Sequence, residues 1–478
     1  MTPSARAVES ILIRGAELPD GSRADVRVRG GVIEALGGLS VAPEDLLVEA
    51  NGGALLPGLH DHHLHLFALA AARRSLLCGP PAVHDAAALA AALARRAAAG
   101  GGWIRGIGYH ESVAGELDRR WLDRQVLEVP VRIQHRSGRL WIFNSAGLAR
   151  LSAASSANGV ACPAVDADSG RLYDADAALR EALGAEPPDL GVISRDLAAC
   201  GVTGVTDMTP DNDRQAFERF CAAQARGELA QRLLLGGRLD MAGGHAAPKA
   251  SVGPTKFHLH ESALPDFESV CAAIRASHDR SRCVAFHCVT EAELVFALAA
   301  LKEAGSAAGD RIEHASLTPD ALLEQIRDLQ LTVVTQPNFV AERGDAYLED
   351  VARADHPHLY RARSFLEAGI ALAAGSDAPF GTPDPWLAMR AAVDRRTAAG
   401  IALGPAEALT PEQALALFTG HADRPAIGRK IVRGAEADLV LLDRPWGVAR
   451  GTLSRELVAL TVADGRIAYA REDLPGRG

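Results

Sequence analysis

Five segments of this chain each carry a potential metal ligand at or near the end of a short apolar run. In the first, Ala54-Leu55-Leu56-Pro57 leads into Gly58-Leu59-His60-Asp61-His62-His63-Leu64-His65. Residues two apart on a strand share a face, so His63 and His65 can reach one ion together. Downstream, Lys256 stands in Pro254-Thr255-Lys256-Phe257, His287 in Val284-Ala285-Phe286-His287, His314 in Arg311-Ile312-Glu313-His314, and Asp377 in Ala374-Gly375-Ser376-Asp377. Imidazole and carboxylate groups at strand ends suit Zn²⁺ or a similar divalent ion. A (β/α) barrel gathers such ends at one face, and the pattern points to metal-assisted hydrolysis.

The rest of the pattern agrees with a barrel. After residues 55–65, candidate strands are Gly201–Asp207, Arg232–Asp240, Thr255–His260, Cys283–Val289, Arg311–His314, Thr332–Gln336 and Ala371–Asp377, eight in all. Helical stretches such as Glu291–Ala304, Pro319–Leu329 and Pro411–Thr419 alternate with them, as a parallel barrel requires. Thr410 is placed to cap the last helix, with Pro411 in its first position. The 478 residues leave room for a barrel of about 250 residues plus additions.

Those additions are two. Alternating apolar residues with a Gly30-Gly31 turn read as strands over residues 9–50, and 437–442 and 457–467 repeat that character around Asp464-Gly465. One small β-sandwich built from both termini accounts for them, from segments 1–54 and 428–478, with the barrel over 55–427. Residues 66–195 are far too long for an ordinary βα connection. Their Ala-rich helix Asp85–Ala98 and strand-like Trp103–Tyr109 and Val131–His135 suggest an inserted cap over the barrel mouth.

Composition excludes several classes. A net charge of −10 and the lack of a Lys/Arg block argue against nucleic-acid binding. Seven scattered cysteines, without a Cys-x-x-Cys pair, favour a reducing compartment. The segment Met1–Gly15 lacks the apolar core of a signal peptide, and Arg73 and Arg74 break the Leu66–Leu77 run before it could span a bilayer. The expectation is a cytoplasmic enzyme acting on a small molecule, without a membrane partner and with a homodimer as the default assembly.

These residues carry a resemblance. The run Pro57–His65 is similar to the Pro-Gly-(apolar)-x-Asp-x-His-x-His opening of the amidohydrolase superfamily. Arg311-Ile312-Glu313-His314 and Gly375-Ser376-Asp377-Ala378-Pro379 resemble its strand-6 and strand-8 motifs, and His287–Glu291 its His-Ala-x-Gly-Asp segment. Within the insertion, His135-Arg136-Ser137-Gly138-Arg139-Leu140-Trp141-Ile142-Phe143-Asn144-Ser145 is similar to a pattern of the amidohydrolase-3, or YtcJ-like, branch. The chain departs from that branch where Ser137 and Arg139 replace its usual Asp and His. It departs again at Lys256-Phe257-His258-Leu259-His260-Glu261, where many relatives run Lys-x-Phe-x-Asp-Gly.

The resemblance implies hydrolysis of a carboxamide-type C–N bond, as in an N-acyl or N-formyl amine or a cyclic amide. It assigns His63, His65 and Asp377 to one divalent ion and His287 and His314 to a second. Lys256 bridges the two if carbamylated to N6-carboxylysine, and a single ion is the fallback. Asp377 then serves as general base and acid. Substrate contacts are expected from His135, Arg136, Arg139, Trp141, His258, His260 and Gln336, against the plainer readings of surface ion pairs and a small core. His60 and His62 alternate with the ligand pair, so they are expected to be structural or to orient the ligands; His245 is a further extra histidine. The rival functions are a one-metal deaminase, which usually has Glu where Thr290 stands, and a non-catalytic protein on the same fold.

Overall fold

The computed structural model describes residues 10–80, 82–184, 188–241, 246–472 and 474; the first residues of the chain and His245 lie outside them. The described chain divides into two compact units, one of residues up to Leu66 and from Leu190 onward, the other Phe67–Asp189.

The first unit contains eight parallel strands: β1 (Leu59–Leu64), β2 (Val202–Asp207), β3 (Arg232–Gly237), β4 (Ala250–His258), β5 (Val284–Cys288), β6 (Arg311–His314), β7 (Thr332–Thr335) and β8 (Ala371–Ala374). They pair in chain order, β1 to β2 and so on to β8, and Ala246–Ala247 adds a short antiparallel strand against β4. Each run is short and mostly buried, and Val333, Val334, Leu372 and Ala373 show the aliphatic character of a strand covered on both faces. Just past the strand ends, Asp377 N donates to His63 O at 2.7 Å and His65 N to Ala378 O at 2.8 Å, joining β8 to β1. Gly375 permits this closure, because a Cβ there would lie 2.4 Å from His63 N. The sheet is a nearly closed (β/α)8 barrel.

Helices follow the strands as expected. Glu291–Ala304 starts at a capping box in which Thr290 and Glu293 satisfy each other's backbone N–H groups. The helix Pro411–Ala416 is capped by Thr410 with Gln413 in the same way.

The termini form two four-stranded sheets. One is ordered Val32–Gly37, Arg23–Arg29, Ser10–Glu17, Asp45–Glu49; the other Arg466–Ala470, Val458–Ala463, Leu439–Leu442, Leu55–Pro57. They share a core that includes Ile11, Ile13, Val26, Val28, Leu439, Leu441, Leu460 and Val462. Leu55–Pro57, read from sequence as the start of the first barrel strand, pairs instead with Leu439–Leu442. Gly58 marks the change of sheet, its N–H bound to Asp438 O.

The second unit carries a five-stranded sheet ordered Arg171–Tyr173, Leu140–Phe143, Val131–His135, Ile104–Tyr109, Leu76–Leu77. Helices Ala86–Ala98, Arg119–Gln125 and Ser145–Asn158 pack on it. It has its own cores, one around Leu89, Ile104, Val131 and Ile133, the other around Trp141, Phe143, Leu151 and Leu172. No helix among the described residues is long and apolar enough to cross a membrane.

Candidate metal centre

Strand ends β1, β6 and β8 bring His63, His314 and Asp377 together, with one ligand atom of each within 4.8 Å of the others. All three are buried. His63 Nε2 lies 3.6 Å from Asp377 Oδ1, and His65 Nε2 lies 3.2 Å from the same oxygen. The rings of His287 and His314 are 4.4 Å apart, centroid to centroid. Both His314 and Asp377 have left-handed backbone, with φ of 70° and 55°. Such conformations are costly for non-glycine residues and concentrate where a side chain must be aimed.

The protonation pattern favours metal binding. Burial pushes the His63 imidazolium down to about 3, and it pushes His287 and His314 down as well. All three are therefore neutral near pH 7, the state that offers a lone pair. Burial alone would raise Asp377, but His65, His314 and His63 hold it well below the usual carboxylate range. Lys256 is buried with no hydrogen-bond partner on Nζ, and burial pushes its ammonium down to about 8.

Partners behind the candidate ligands fix their tautomers. His63 Nδ1 donates to Glu313 Oε2 at 2.6 Å. Glu313 is fully buried, and although burial opposes ionisation, Arg311 and His63 hold its carboxyl well below the ordinary value. Arg311 binds both its oxygens, at 2.7 and 3.0 Å. An ionised carboxylate only accepts, so His63 Nδ1 carries the proton and Nε2 keeps its lone pair. His314 Nδ1 likewise donates to Gln336 Oε1 at 2.7 Å. His65 Nδ1 meets Thr209 Oγ1 at 3.0 Å. Asp61 accepts from Ser376 N and His63 N, tying the segment after β8 to β1.

The expected substrate residues fare differently. Gln336 is fully buried, so its amide serves His314 where a substrate contact was expected. His258 ends β4 with its ring 4.5 Å from that of His287 and 4.4 Å from His260. His260 lies two residues past the end of the strand, ahead of the turn Glu261–Ala263. In the second unit, Trp141 is a core residue flanked by the Arg105 and Arg132 guanidiniums, each 5.2 Å from its ring. Arg139 pairs with Asp174 through two 2.7 Å bonds in an exposed ion pair. His135 bonds Ser137 and Glu111, and Arg136 is exposed. His60 Nε2 bonds Thr206 Oγ1 at 2.9 Å, and its ring lies 4.4 Å from that of His62. The supporting roles of Glu313, Arg311, Thr209 and Asp61 were not read from sequence. The one available signal was Arg-x-Glu ending on His314.

A model of the amidohydrolase family, of the amidohydrolase-3 branch, matches residues 47–469. The chain belongs to the amidohydrolase family. An N-substituted formamide deformylase of Arthrobacter pascens is 26% identical, over 93% of this chain and 95% of its own. The putative amidohydrolase YtcJ of Bacillus subtilis is 24% identical, over 95% of this chain and 97% of its own. Among solved structures, a metal-dependent hydrolase from Pyrococcus horikoshii superposes with a TM-score of 0.74, at 19% identity, over 91% of this chain and 97% of its own. That likeness concerns the fold. Membership makes this amidohydrolase a hydrolase of C–N bonds, and His63, His314 and Asp377 form a group that could hold a metal ion.

Proposed function

We propose that this amidohydrolase cleaves a carboxamide-type C–N bond in a small molecule, an N-acyl or N-formyl amine or a cyclic amide. The observation that carries the reading is the meeting of His63, His314 and Asp377 with an unpartnered, buried Lys256 in the same barrel. The formamide deformylase relative points the same way for the bond.

The donor set fits one or two divalent ions, Zn²⁺ foremost, through His63, His65, His287, His314 and Asp377. A metal held there supplies a Lewis acid for the amide carbonyl and lowers the pKa of water. Lys256 fits carbamylation. Near pH 8 about half of its amine is neutral, and the neutral amine adds CO₂ with loss of one proton. The product carries a carboxylate where an ammonium has no lone pair to give.

The chain's own residues do the rest. Asp377, ionised and aimed by its left-handed backbone, takes a proton from the attacking water at a carboxylate oxygen. It returns that proton to the leaving nitrogen as the C–N bond breaks. Glu313 and Gln336 keep His63 and His314 in one tautomer throughout. Thr290 caps the helix after β5, and so leaves no acid where a deaminase usually has one.

The test is a screen of protein reconstituted with zinc, manganese or cobalt against N-formyl amines, N-acyl amines and cyclic amides. Metal-dependent release of a free amine supports the reading. Ammonia release from amino-substituted heterocycles, with no amide turned over, overturns it.

A further inference from the structure

We infer that the substrate bears a carboxylate and that Arg343 receives it. For the bond that is cut this rests on the amide-hydrolysis reading above; for binding it stands on the geometry around Arg343.

Phe380 lies three residues past Asp377, in a turn closed by the N–H groups of Phe380 and Gly381 on Asp377 O. Its ring stands edge-on to His65 with centroids 5.8 Å apart, yet the residue is 42% exposed. An exposed aromatic ring against a candidate metal ligand is a wall for an apolar part of a substrate.

Arg343 is on the helix Asn338–Asp350, which follows β7. Its guanidinium lies 4.1 Å from the centroid of the Phe339 ring, and its Nη2 donates to the carbonyl of Phe380 itself. The cation is thus held from two sides, on the backbone of the wall residue. Among the described residues no carboxylate forms an ion pair with it. The nearest acid in sequence, Glu342, feels the Arg343 charge, but both its oxygens accept from Thr382 N. Its bond to Phe380 O, in the turn closed on Asp377 O, places the guanidinium beside the segment that follows β8.

A guanidinium has five donors in a planar fork, and its bonds to the Phe380 carbonyl and the Tyr347 hydroxyl still leave donors for a bidentate carboxylate. Stacking and the carbonyl bond fix its position beforehand, which lowers the cost of binding. The ligand chemistry that fits is an amide and a carboxylate flanking an apolar group that lies on Phe380.

The test pairs N-formyl-phenylalanine (racemic) with N-formyl-phenethylamine, which differ by the carboxylate alone. For metal-loaded protein, kcat/KM should favour the acid, and Arg343→Met should cut the acid-to-neutral ratio by about 10- to 100-fold, mostly through KM. Arg343→Lys should restore part of it. Calorimetry with phenylacetate, which needs no turnover, should show weaker binding to Arg343→Met and Arg343→Gln by a similar factor. Thermal unfolding confirms that each variant is folded. Equal phenylacetate binding by the native protein and both variants, or a ratio unmoved by Arg343→Met, overturns the inference. If neither formamide nor any other amide of the screen above is cleaved but phenylacetate binding still depends on Arg343, the anion site stands and the hydrolysis reading falls.

Discussion

Glu313 and His63, 250 residues apart in sequence, share a fully buried hydrogen bond of 2.6 Å, and Arg311 braces the carboxylate from the other side. The bond couples β6 to β1 behind the candidate metal centre, and it decides which imidazole nitrogen faces Asp377. Glu313→Gln keeps the shape and removes the charge. Metal affinity of the variant should fall about 10- to 100-fold, read by competitive titration with a chromophoric chelator. Unchanged affinity would mean that His63 does not depend on this partner.

Gln336 has the same relation to His314. Gln336→Leu leaves the buried Nδ1–H without an acceptor, and the cost in stability should be about 1–3 kcal/mol, read by denaturant unfolding. Metal affinity should fall as well. Because the side chain is fully buried, KM for any substrate measured at saturating metal should change little.

The second unit separates a core role from a pocket role. Trp141 is 3% exposed and packs with Phe143, Leu151 and Leu172, so Trp141→Ala should cost about 3–5 kcal/mol. Hydrogen exchange should rise across Phe67–Asp189 before it rises in the barrel strands. Arg139→Gln breaks only an exposed pair with Asp174 and should cost less than about 1 kcal/mol. Slow exchange throughout Trp141→Ala would contradict the core role.

The terminal sheets supply a pH dependence. Burial raises the Asp45 carboxyl, but Arg27, Ser10 and the Ala42 N–H outweigh it and bring it from 3.8 to about 2. A depressed acid contributes stability that is complete above the unfolded value and lost as pH falls through the folded one. Asp45→Asn should therefore be less stable than the native protein near pH 7. The gap should close between about pH 4 and pH 2. Thermal midpoints across that range check this, and a gap that stays constant would rule out the assigned partners.

The barrel was legible because its strands are short apolar runs that end on chemistry-bearing residues, and the helix Glu291–Ala304 because Thr290 announces its start. Leu55–Pro57 was assigned to the wrong sheet because three apolar residues do not say which sheet they join; the partner, Leu439–Leu442, lies at the far end of the chain. The ligand types at the centre were readable one strand at a time. Glu313 was not, since an acid beside a histidine has no visible role until the fold brings His63 to it. Trp141 illustrates the opposite limit, because an aromatic residue in an insertion has the same pattern whether it lines a pocket or fills a core. Arg343 left no sequence signal; only stacking on Phe339 and the bond to Phe380 set it apart from other surface arginines.

The most direct test is the metal content of purified protein after reconstitution with zinc, beside the double variant His63→Ala/His314→Ala. At least one ion per chain in the native protein, lost in a double variant that circular dichroism shows to be folded, is the predicted result. No bound ion in the native protein with zinc, manganese or cobalt, or equal binding by the double variant, would contradict a metal centre built on His63, His314 and Asp377.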